Sequence, residues 1–226
     1  MSIRVVSLVP SVTETLLAWG ITPVACTRFC EQPSLTHVGG TKDPDIAAIV
    51  GLRPDLVVVD EEENRREDAD ALVAAGVPVH ATAVRSLADV GPQLAGLAAA
   101  VGAPSPDSVS VEPGALVRRA FVPIWRRPWM TLNGSTYGSS LLAALGVDNV
   151  FAGHPDRYPT ISLADAAAAG PDVVLAPSEP YPFTERQRAE LEQVAPVVFV
   201  DGQDLFWWGA RTAGALDRLR AQLVST

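Results

Sequence analysis

The sequence predicts an α/β protein made of two Rossmann-like lobes, each with a mostly parallel sheet, that face each other across a ligand cleft. Short β-rich runs alternate with helical segments along the chain, which is typical of βαβ units. The two halves also share a pattern, since PDLVVVDEEE at 54–63 matches PDVVLAPSEP at 171–180. We expect lobes at residues 1–101 and 119–226, joined by a short, proline-containing linker at 102–118.

The first lobe opens with the strand IRVVSLV and a helix behind it. Ser11 and Glu14 have the spacing of a capping box, which predicts that the helix begins there, and Gly20 ends it. PVAC is predicted as a second strand. The segment DPDIAAIVGL follows as a short helix, with Asp43 or Asp45 as its N-cap.

The remaining elements of the first lobe continue the alternation. DLVVV is an unbroken apolar run, as expected for a strand that is buried on both faces of a parallel sheet. A helix is predicted from about Arg66 to Ala75, followed by the strand VPVHA. An alanine- and leucine-rich helix from Ser86 to Val101 ends the lobe.

The second half repeats this order of elements. AFVPIWRRPWMTLN predicts a strand, a turn at 126–128 and another strand, and a helix follows at about 139–145. DVVLA is a buried strand, TERQRAELEQV a surface helix, PVVFV a strand, and an amphipathic helix at about 210–224 ends the chain. Ligands of such folds bind beyond the carboxyl ends of the strands, so the loops there are the candidate site.

Composition and charge exclude several classes of function. The 226 residues are 48% hydrophobic and 19% charged, which is ordinary for a globular protein. The net charge of −9 argues against nucleic acid and anionic membrane surfaces as partners. No apolar run reaches the roughly 18 residues of a spanning helix, and MSIRVVSLVP lacks the pattern of an export signal. We expect a cytoplasmic protein, or an extracytoplasmic one if an export signal is missing from this sequence.

Several stretches resemble one known family. RVVSLVPSVTETLLAWGI, VGGTKDPDIAAIVGLRPDLVVVDEEEN and ISLADAAAAGPDVVLAPSEP look like successive segments of the class III periplasmic binding proteins, the helical-backbone metal receptors. The resemblance covers nearly the whole chain and is closest to the cobalamin-binding proteins of corrinoid ABC importers. It implies a ligand-binding protein that is not an enzyme, with cobalamin, haem or an iron chelate as its ligand. The implied partner is an ABC importer or a corrinoid-handling protein.

Two features of the family are altered in this sequence. The family joins its lobes by a long helix, whereas residues 102–118 are few and broken by prolines. The acidic residues that dock family members on an importer have their nearest matches at Glu67 and Asp165. The alternative function is therefore a cytoplasmic enzyme, sensor or carrier that acts on a corrinoid or an iron chelate, with carboxylates of the cleft available for acid–base work.

The charged loop DEEENRRED, which follows DLVVV, has two interpretations. It can be a solvated loop in which Asp60 or Asn64 caps the next helix. It can also line the cleft and meet amide, hydroxyl or cationic groups of a ligand. With the residues that the resemblance places on the cleft, the candidates of the first lobe are Ser11, Arg28, Phe29, Glu62, Glu63 and Asn64.

The second lobe offers aromatic side chains and a helix start with small residues. Aromatic residues cluster in loops after strands, where flat corrins and porphyrins find walls to stack on. NGSTYGSS opens a helix with amide donors that suit an anion, and SEPYPF occupies the place of DEEEN, so that each loop supplies a glutamate to the cleft. Of the two adjacent tryptophans in DLFWWG, we expect one to face the cleft or a partner. The candidates are Ser135, Tyr137, Glu179, Tyr181, Phe183, Trp207 and Trp208.

Built-in metal or catalytic groups are not expected. Cys26 and Cys30 are too few for a structural zinc site, and His37, His80 and His154 are scattered. The nucleophile-elbow and Walker patterns are absent from the sequence. We predict no resident metal or cofactor; an axial bond from His154 or Cys30 to a metal of the ligand stays open.

Overall fold

A computed structural model describes residues 3–104 and 118–224 of the chain. Most of the predicted linker, residues 105–117, lies outside the described residues. The chain divides into two compact units, which we call the first and the second unit. Their described residues are 3–84, 88–104 and 208–210 for the first unit, and 85–87, 118–207 and 211–224 for the second.

The first unit is built on a five-stranded sheet in the order β3-β2-β1-β4-β5, and every strand pair in it is parallel. The strands are β1 (Val5–Ser7), β2 (Ala25–Cys26), β3 (Thr36–His37), β4 (Leu56–Asp60) and β5 (Val79–Thr82). The helices are α1 (Pro10–Ala18), α2 (Ile46–Gly51), α3 (Arg66–Ala74) and α4 (Leu87–Val101). The predicted α/β class is confirmed for this unit.

Apolar side chains of β1 and β4 form the centre of the first unit's core. Val6 and Val57 are fully buried, and Ile49 of α2 and Leu72 of α3 belong to the same cluster. All five residues of β4 are buried, which confirms DLVVV as a central strand covered on both faces. Burial of each such side chain contributes roughly 1.5–3 kcal/mol.

The start of α1 differs from the prediction. The helix begins at Pro10, and its N-cap, Val9, makes no side-chain cap, so Ser11 and Glu14 do not form a capping box. Proline suits the first position of a helix because the N–H that it lacks would have no partner there. The predicted end is confirmed: Gly20 follows the helix with a φ of 76°, a conformation that glycine adopts at low cost.

The N-caps of α2 and α3 can be compared with the N-cap residues predicted for these helices. The Asp45 carboxylate accepts a hydrogen bond from the backbone N–H of Ala48 at 2.9 Å, so Asp45 is the predicted N-cap. The N-cap of α3 is Arg65, and no side chain caps that helix. The interpretation in which Asp60 or Asn64 caps it is wrong, because both side chains bind other groups of the first unit.

The second unit contains a four-stranded parallel sheet in the order β7-β6-β8-β9. The strands are β6 (Arg118–Phe121), β7 (Val147–Asn149), β8 (Val173–Pro177) and β9 (Val197–Val200). The helices are α5 (Tyr137–Ala144), α6 (Leu163–Ala168), α7 (Arg188–Leu191), α8 (Gly202–Phe206) and α9 (Thr212–Val224). β8 is buried along its length, as β4 is in the first unit, and its Val174 belongs to the same core cluster as Phe121 of β6.

Two segments of the second unit differ from the predicted elements. The turn at 126–128 exists, with Ile124 N–H donating to Met130 at 2.9 Å, but only isolated bridges flank it in place of a second strand. The predicted surface helix at TERQRAELEQV is a 3₁₀ turn, Glu185–Gln187, followed by the four residues of α7. Among residues 3–104 and 118–224, no helix has the length and apolar character needed to cross a bilayer.

Candidate functional site

The loop after β4 is organised by two buried polar side chains, Asp60 and Asn64. One Asp60 oxygen accepts from the Thr82 hydroxyl at 2.8 Å, and the other accepts from the Glu62 N–H at 2.9 Å. Burial is the main cause that raises the pKa of Asp60, and these hydrogen bonds oppose it. Asp60 therefore holds the loop in a fixed turn, and its oxygens are already occupied by groups of the protein.

Asn64 connects three segments at the carboxyl end of the first sheet. Its side-chain oxygen accepts from the Asp60 N–H at 2.8 Å. Its amide nitrogen donates to the carbonyls of Leu8 at 3.2 Å and Thr41 at 2.9 Å. Because Asn64 is only 7% exposed and these bonds use its polar atoms, the structure gives it a positioning role in place of the predicted contact with a ligand.

The glutamates between these two residues lie nearer the surface. Glu62 is half-buried and Glu63 is exposed, and their backbone N–H groups point to Asp60. The Lys42 ammonium group donates to the Glu62 carbonyl at 2.5 Å. The turn thus places two carboxylates at the carboxyl end of β4, where ligands of parallel sheets bind. Their contact with a ligand stays a prediction.

The loop after β2 presents a cation and an exposed aromatic ring. The Arg28 guanidinium forms an ion pair with Asp43 at 3.0 Å and lies 4.8 Å from the centroid of the Phe29 ring. The Phe29 side chain is 50% exposed, an unusual position for a large apolar group. Arg28 and Phe29 therefore lie on the surface at the carboxyl end of the first sheet, as a ligand-contacting role requires.

The two cysteines at the end of β2 and in the loop after it are interior thiols. Burial, together with the neighbouring Cys30 thiol, raises the pKa of Cys26 to about 12, so this thiol stays protonated. Cys30 is 3% exposed and accepts from the Thr13 hydroxyl at 3.2 Å. In the described part of the chain, no group of three or more His, Cys, Asp or Glu side chains is placed to hold a metal ion.

Two other predicted site residues grouped with the first unit are buried. Ser11 is 5% exposed, in the first turn of α1, where its carbonyl accepts from the Thr15 hydroxyl at 2.8 Å. Trp208 is also 5% exposed. These positions contradict the use of either side chain as a solvent-accessible surface for a ligand; both serve packing.

In the second unit, four aromatic rings from two loops form one cluster, which we call the ring cluster: Trp125, Trp129, Tyr181 and Phe183. Trp125 meets Tyr181 edge to face with the ring centroids 5.7 Å apart, and Tyr181 lies 4.7 Å from Phe183. Phe183 in turn stacks on Trp129 at 5.9 Å. The loops follow β6 and β8, the two central strands of this sheet, so the cluster lies at its carboxyl end.

The ring cluster has an outer and an inner side. Trp125 is 43% exposed and Tyr181 is half-buried, whereas Phe183 is only 4% exposed. Phe183 therefore supports the surface from inside and is not itself the predicted wall. Arg126 braces the cluster, since its guanidinium forms an ion pair with Glu190 at 2.8 Å and lies 6.0 Å from the Trp129 ring.

Trp207 and Glu179, both predicted site residues, are bonded to each other. The indole N–H of Trp207 donates to one Glu179 oxygen at 3.0 Å, and the Gln203 amide lies 3.4 Å from the other. The Arg211 guanidinium lies 5.1 Å from the centre of the Trp207 ring. Of the two adjacent tryptophans, Trp207 is thus the half-buried one, and Trp208 is the buried one.

The predicted anion cradle at NGSTYGSS is largely closed by its own side chains. The Asn133 carboxamide oxygen accepts from both the N–H and the hydroxyl of Ser135, at 2.8 and 2.7 Å. Thr136 caps α5 by accepting from the Ser139 N–H. Tyr137 is 5% exposed, and burial raises its pKa to about 12, so it is an interior side chain and not a ligand contact. Ser135 alone remains exposed among the predicted residues here.

Sequence reasoning left Trp125 out of the selected site, although its loop had been singled out as aromatic. The signal was the sequence Trp-Arg-Arg-Pro-Trp directly after a strand of the second sheet. Two tryptophans that flank two arginines and a proline in a turn indicate that at least one of the rings is exposed. His154, by contrast, is half-buried, and its Nδ1 accepts from the Asp156 N–H at 3.1 Å.

Comparison with known proteins shows what the chain resembles in sequence and in fold. Residues 5–107 match a family described as periplasmic binding protein. The vitamin B12-binding protein of Salmonella paratyphi A is 26% identical over 194 residues, covering 76% of this chain and 71% of that protein. The periplasmic vitamin B12 binding protein BtuF of Vibrio cholerae has a TM-score of 0.77 at 20% identity, covering 98% of this chain and 96% of the other. The periplasmic heme-binding protein RhuT from Roseiflexus sp. RS-1 has a TM-score of 0.79 at 22% identity, covering 100% and 99%.

The chain has the fold of the class III periplasmic binding proteins and is related to them in sequence. The resemblance noted in the sequence and the predicted fold class are thereby confirmed. In this periplasmic-binding-protein fold, the loops after β4 and β8 are equivalent, which agrees with the repeat of PDLVVVDEEE and PDVVLAPSEP. The cleft between lobes and the lobe boundaries stay predictions.

The two acidic residues that are the nearest matches to the family's importer-docking positions differ in their surroundings. Glu67 lies in the first turn of α3 with its side chain 71% exposed, 3.8 Å from Arg65. Asp165 lies in the first turn of α6 and accepts from the hydroxyl and N–H of Ser162, which lowers its pKa. Asp165 therefore stabilises its own helix start and stays charged at neutral pH, whereas Glu67 makes no such cap; both residues are exposed.

Proposed function

We propose that this periplasmic-binding-protein relative binds a corrinoid or another metal-chelate macrocycle and has no catalytic step of its own. Proteins with similar sequence and fold are named for vitamin B12 and haem. Among these ligands the corrinoid is favoured, because the B12-binding proteins are the relatives in sequence. The macrocycle would be cargo, and its metal would arrive with it.

The observation that carries the proposal is the exposed edge of the ring cluster. A tryptophan that is 43% exposed and held edge to face by a tyrosine offers a rigid apolar surface to a flat ligand. Stacking on such a ring contributes roughly 0.5–1.5 kcal/mol beyond the area that is buried. Trp125 and Tyr181 would therefore contact the macrocycle, while Phe183 and Trp129 keep them in place.

Polar groups at the carboxyl ends of the sheets supply the complementary anchors. A corrin carries amide side chains, whose N–H groups suit the carboxylates of Glu62 and Glu63. Arg28 and Phe29 offer a donor and a ring at the end of β2. Such a set, mostly apolar with few polar groups, is typical of sites for flat organic ligands.

A binding role is favoured over an enzyme by the state of the buried carboxyl group. Acid–base catalysis needs a titrating group within hydrogen-bond reach of the ligand. Asp60 has the raised pKa that such a role asks for, but it is 4% exposed and bonded to Thr82 and the loop backbone. It supports the site and does not reach a substrate.

The partner and the compartment follow from the same proposal. Solved proteins with this fold are described as periplasmic, so we propose an extracytoplasmic location in place of the cytoplasmic one. An ABC importer would receive the loaded protein, and Glu67, an exposed carboxylate that caps no helix, is suited to a basic dock. Fractionation of cells that express the natural gene tests the compartment; recovery with the cytosol would contradict it.

Titration of the purified protein with cobalamin, cobinamide, haem and ferric siderophores tests the proposed function. We expect tryptophan quenching and a change in ligand absorbance with cobalamin or cobinamide at stoichiometric protein. Haem and siderophores should bind more weakly. Failure of all four ligands to bind would overturn the proposal. Binding of a siderophore alone would overturn the assignment of a macrocycle as the ligand.

A further inference from the structure

Trp207 is held at three points by groups of the second unit, two of them on its indole ring. Its ring N–H donates to the Glu179 carboxylate at 3.0 Å. Its backbone N–H donates to the Gln203 carbonyl at 2.9 Å, which closes the end of α8. The guanidinium of Arg211 lies over the ring at 5.1 Å from its centroid. Both the position and the plane of the ring are therefore fixed.

Arg211 is itself held in place by side chains of α8. One of its nitrogens donates to Asp204 at 3.1 Å, and another donates to the Gln203 side-chain oxygen at 3.1 Å. Asp204 is 2% exposed and also binds Arg218 through two hydrogen bonds of 2.6 Å. A buried carboxylate that binds two guanidinium groups is a rigid anchor, because moving either cation breaks charge-assisted hydrogen bonds in the interior.

The loop that carries Glu179 is pressed against the start of α8. The Gly202 N–H donates to the Ser178 hydroxyl at 2.9 Å. A Cβ added at Gly202 would collide with the backbone nitrogen of Glu179, so only glycine allows this approach. The approach places the Glu179 carboxylate within reach of both Trp207 and Gln203. The bonds form a closed ring of interactions from Glu179 through Gln203 and Arg211 back to Trp207.

We propose that Arg211, anchored by Asp204, is a positioning residue that fixes the plane of the Trp207 indole for stacking against the ligand. Arg211 acts through Trp207: its charge attracts the face of the ring, and its guanidinium group covers that face. The inference rests on the proposed function for the identity of the ligand. The position of the indole itself does not depend on it.

The two arginines that share Asp204 provide a matched pair of variants. Arg211→Met removes the cation over Trp207 and one ion pair to Asp204. Arg218→Met removes an ion pair to the same carboxylate without a described contact to the Trp207 ring. We expect Arg211→Met to raise the dissociation constant for cobinamide about five- to tenfold. Arg218→Met should lower the melting temperature at least as much and leave the dissociation constant within twofold.

Testing Arg211→Met in a protein that already lacks the Trp207 ring separates positioning of the ring from a general loss of structure. In Trp207→Leu, the ring is absent, so adding Arg211→Met should not weaken binding further. A similar loss from Arg211→Met with and without the ring would overturn the proposal. Equal weakening by Arg218→Met would do so as well, because it would show that Asp204 acts through stability alone.

A measurement without ligand keeps the proposal testable if none of the four ligands binds. Acrylamide quenching of tryptophan fluorescence reports how accessible each indole is. The other four tryptophans are common to wild type and variant, so the Trp207→Leu pair isolates the Trp207 signal. We expect Arg211→Met to increase quenching of Trp207 by about half or more, since a face of the ring opens. Unchanged quenching would contradict the positioning role even if the macrocycle binds.

Discussion

The side-chain amide of Asn64 donates a hydrogen bond to the backbone carbonyl of Leu8 at 3.2 Å, across 56 residues of sequence. This bond ties the end of β1 to the loop after β4, and a second bond from the same amide reaches Thr41. Asn64, which the run of charges suggested as a ligand contact, thus links segments of the first unit by hydrogen bonds. The neighbouring carboxylates are left at the surface, where a ligand could meet them.

Replacement of Asn64 should therefore reduce stability. Asn64→Ala removes three side-chain hydrogen bonds and leaves the Leu8 and Thr41 carbonyls without these partners. We expect the free energy of unfolding to fall by about 2–4 kcal/mol, as measured by urea denaturation. Arg66→Ala, at a side chain that is 90% exposed, is the control and should change stability by less than about 0.5 kcal/mol. Equal stability of the two variants would contradict this structural role of Asn64.

Stability should fall in mild acid because of His80. Its Nε2 atom is buried and has no hydrogen-bond partner among the described residues, and burial lowers the pKa of the ring. The folded protein therefore keeps His80 neutral below about pH 6.5, the ordinary pKa, while the unfolded chain takes up the proton. The stability that neutral His80 contributes is present above that pH and is lost as the pH falls toward the lowered pKa of the folded state.

Comparison of wild type with His80→Phe isolates this effect, since all other titrating groups are common to both. The difference in unfolding free energy should shift in favour of the variant between pH 7.5 and pH 5. Urea denaturation at several pH values in this range measures the shift. Parallel pH profiles would show that His80 is protonated equally well in the folded and unfolded states.

Gly202 should tolerate no side chain. An added Cβ would meet the backbone of Glu179, which cannot move without breaking the bonds from Trp207 and Gln203. We expect Gly202→Ala to destabilise the protein by about 1–3 kcal/mol in thermal or urea unfolding. Gly91→Ala is the control, because nothing lies within 4 Å of its added Cβ in α4, and it should be neutral or stabilise by up to about 1 kcal/mol. Similar effects at the two glycines would refute the close approach.

Much of the fold could be predicted because its signals are local. β4 and β8 are unbroken apolar runs, and periodicity along a few residues is enough to identify them. β3 and β7 escaped prediction because they have two and three residues, and β3 is exposed. Such short edge strands exist because a neighbouring strand supplies hydrogen bonds, and that information lies far away in sequence.

The candidate site was harder to predict for the same reason. The internal role of Asn64 depends on Leu8 and Thr41, and the buried state of Tyr137 depends on its packing and its contact with Thr212. These partners lie far away in the sequence, so no local pattern predicts them. The surface positions of Phe29 and Tyr181 were easier to predict from the sequence, because loops at the carboxyl ends of parallel strands share one edge of the sheet.

The most direct measurement for the ring cluster as a ligand surface is the dissociation constant of Trp125→Ala for cobinamide. We predict an increase of about tenfold or more relative to wild type, with only a small fall in melting temperature, because the Trp125 side chain is 43% exposed and packs on Tyr181 alone among the described ring pairs. Val73→Ala removes an apolar side chain that is 60% exposed on α3 and should bind as wild type does. A dissociation constant for Trp125→Ala equal to that of wild type and Val73→Ala would contradict the account.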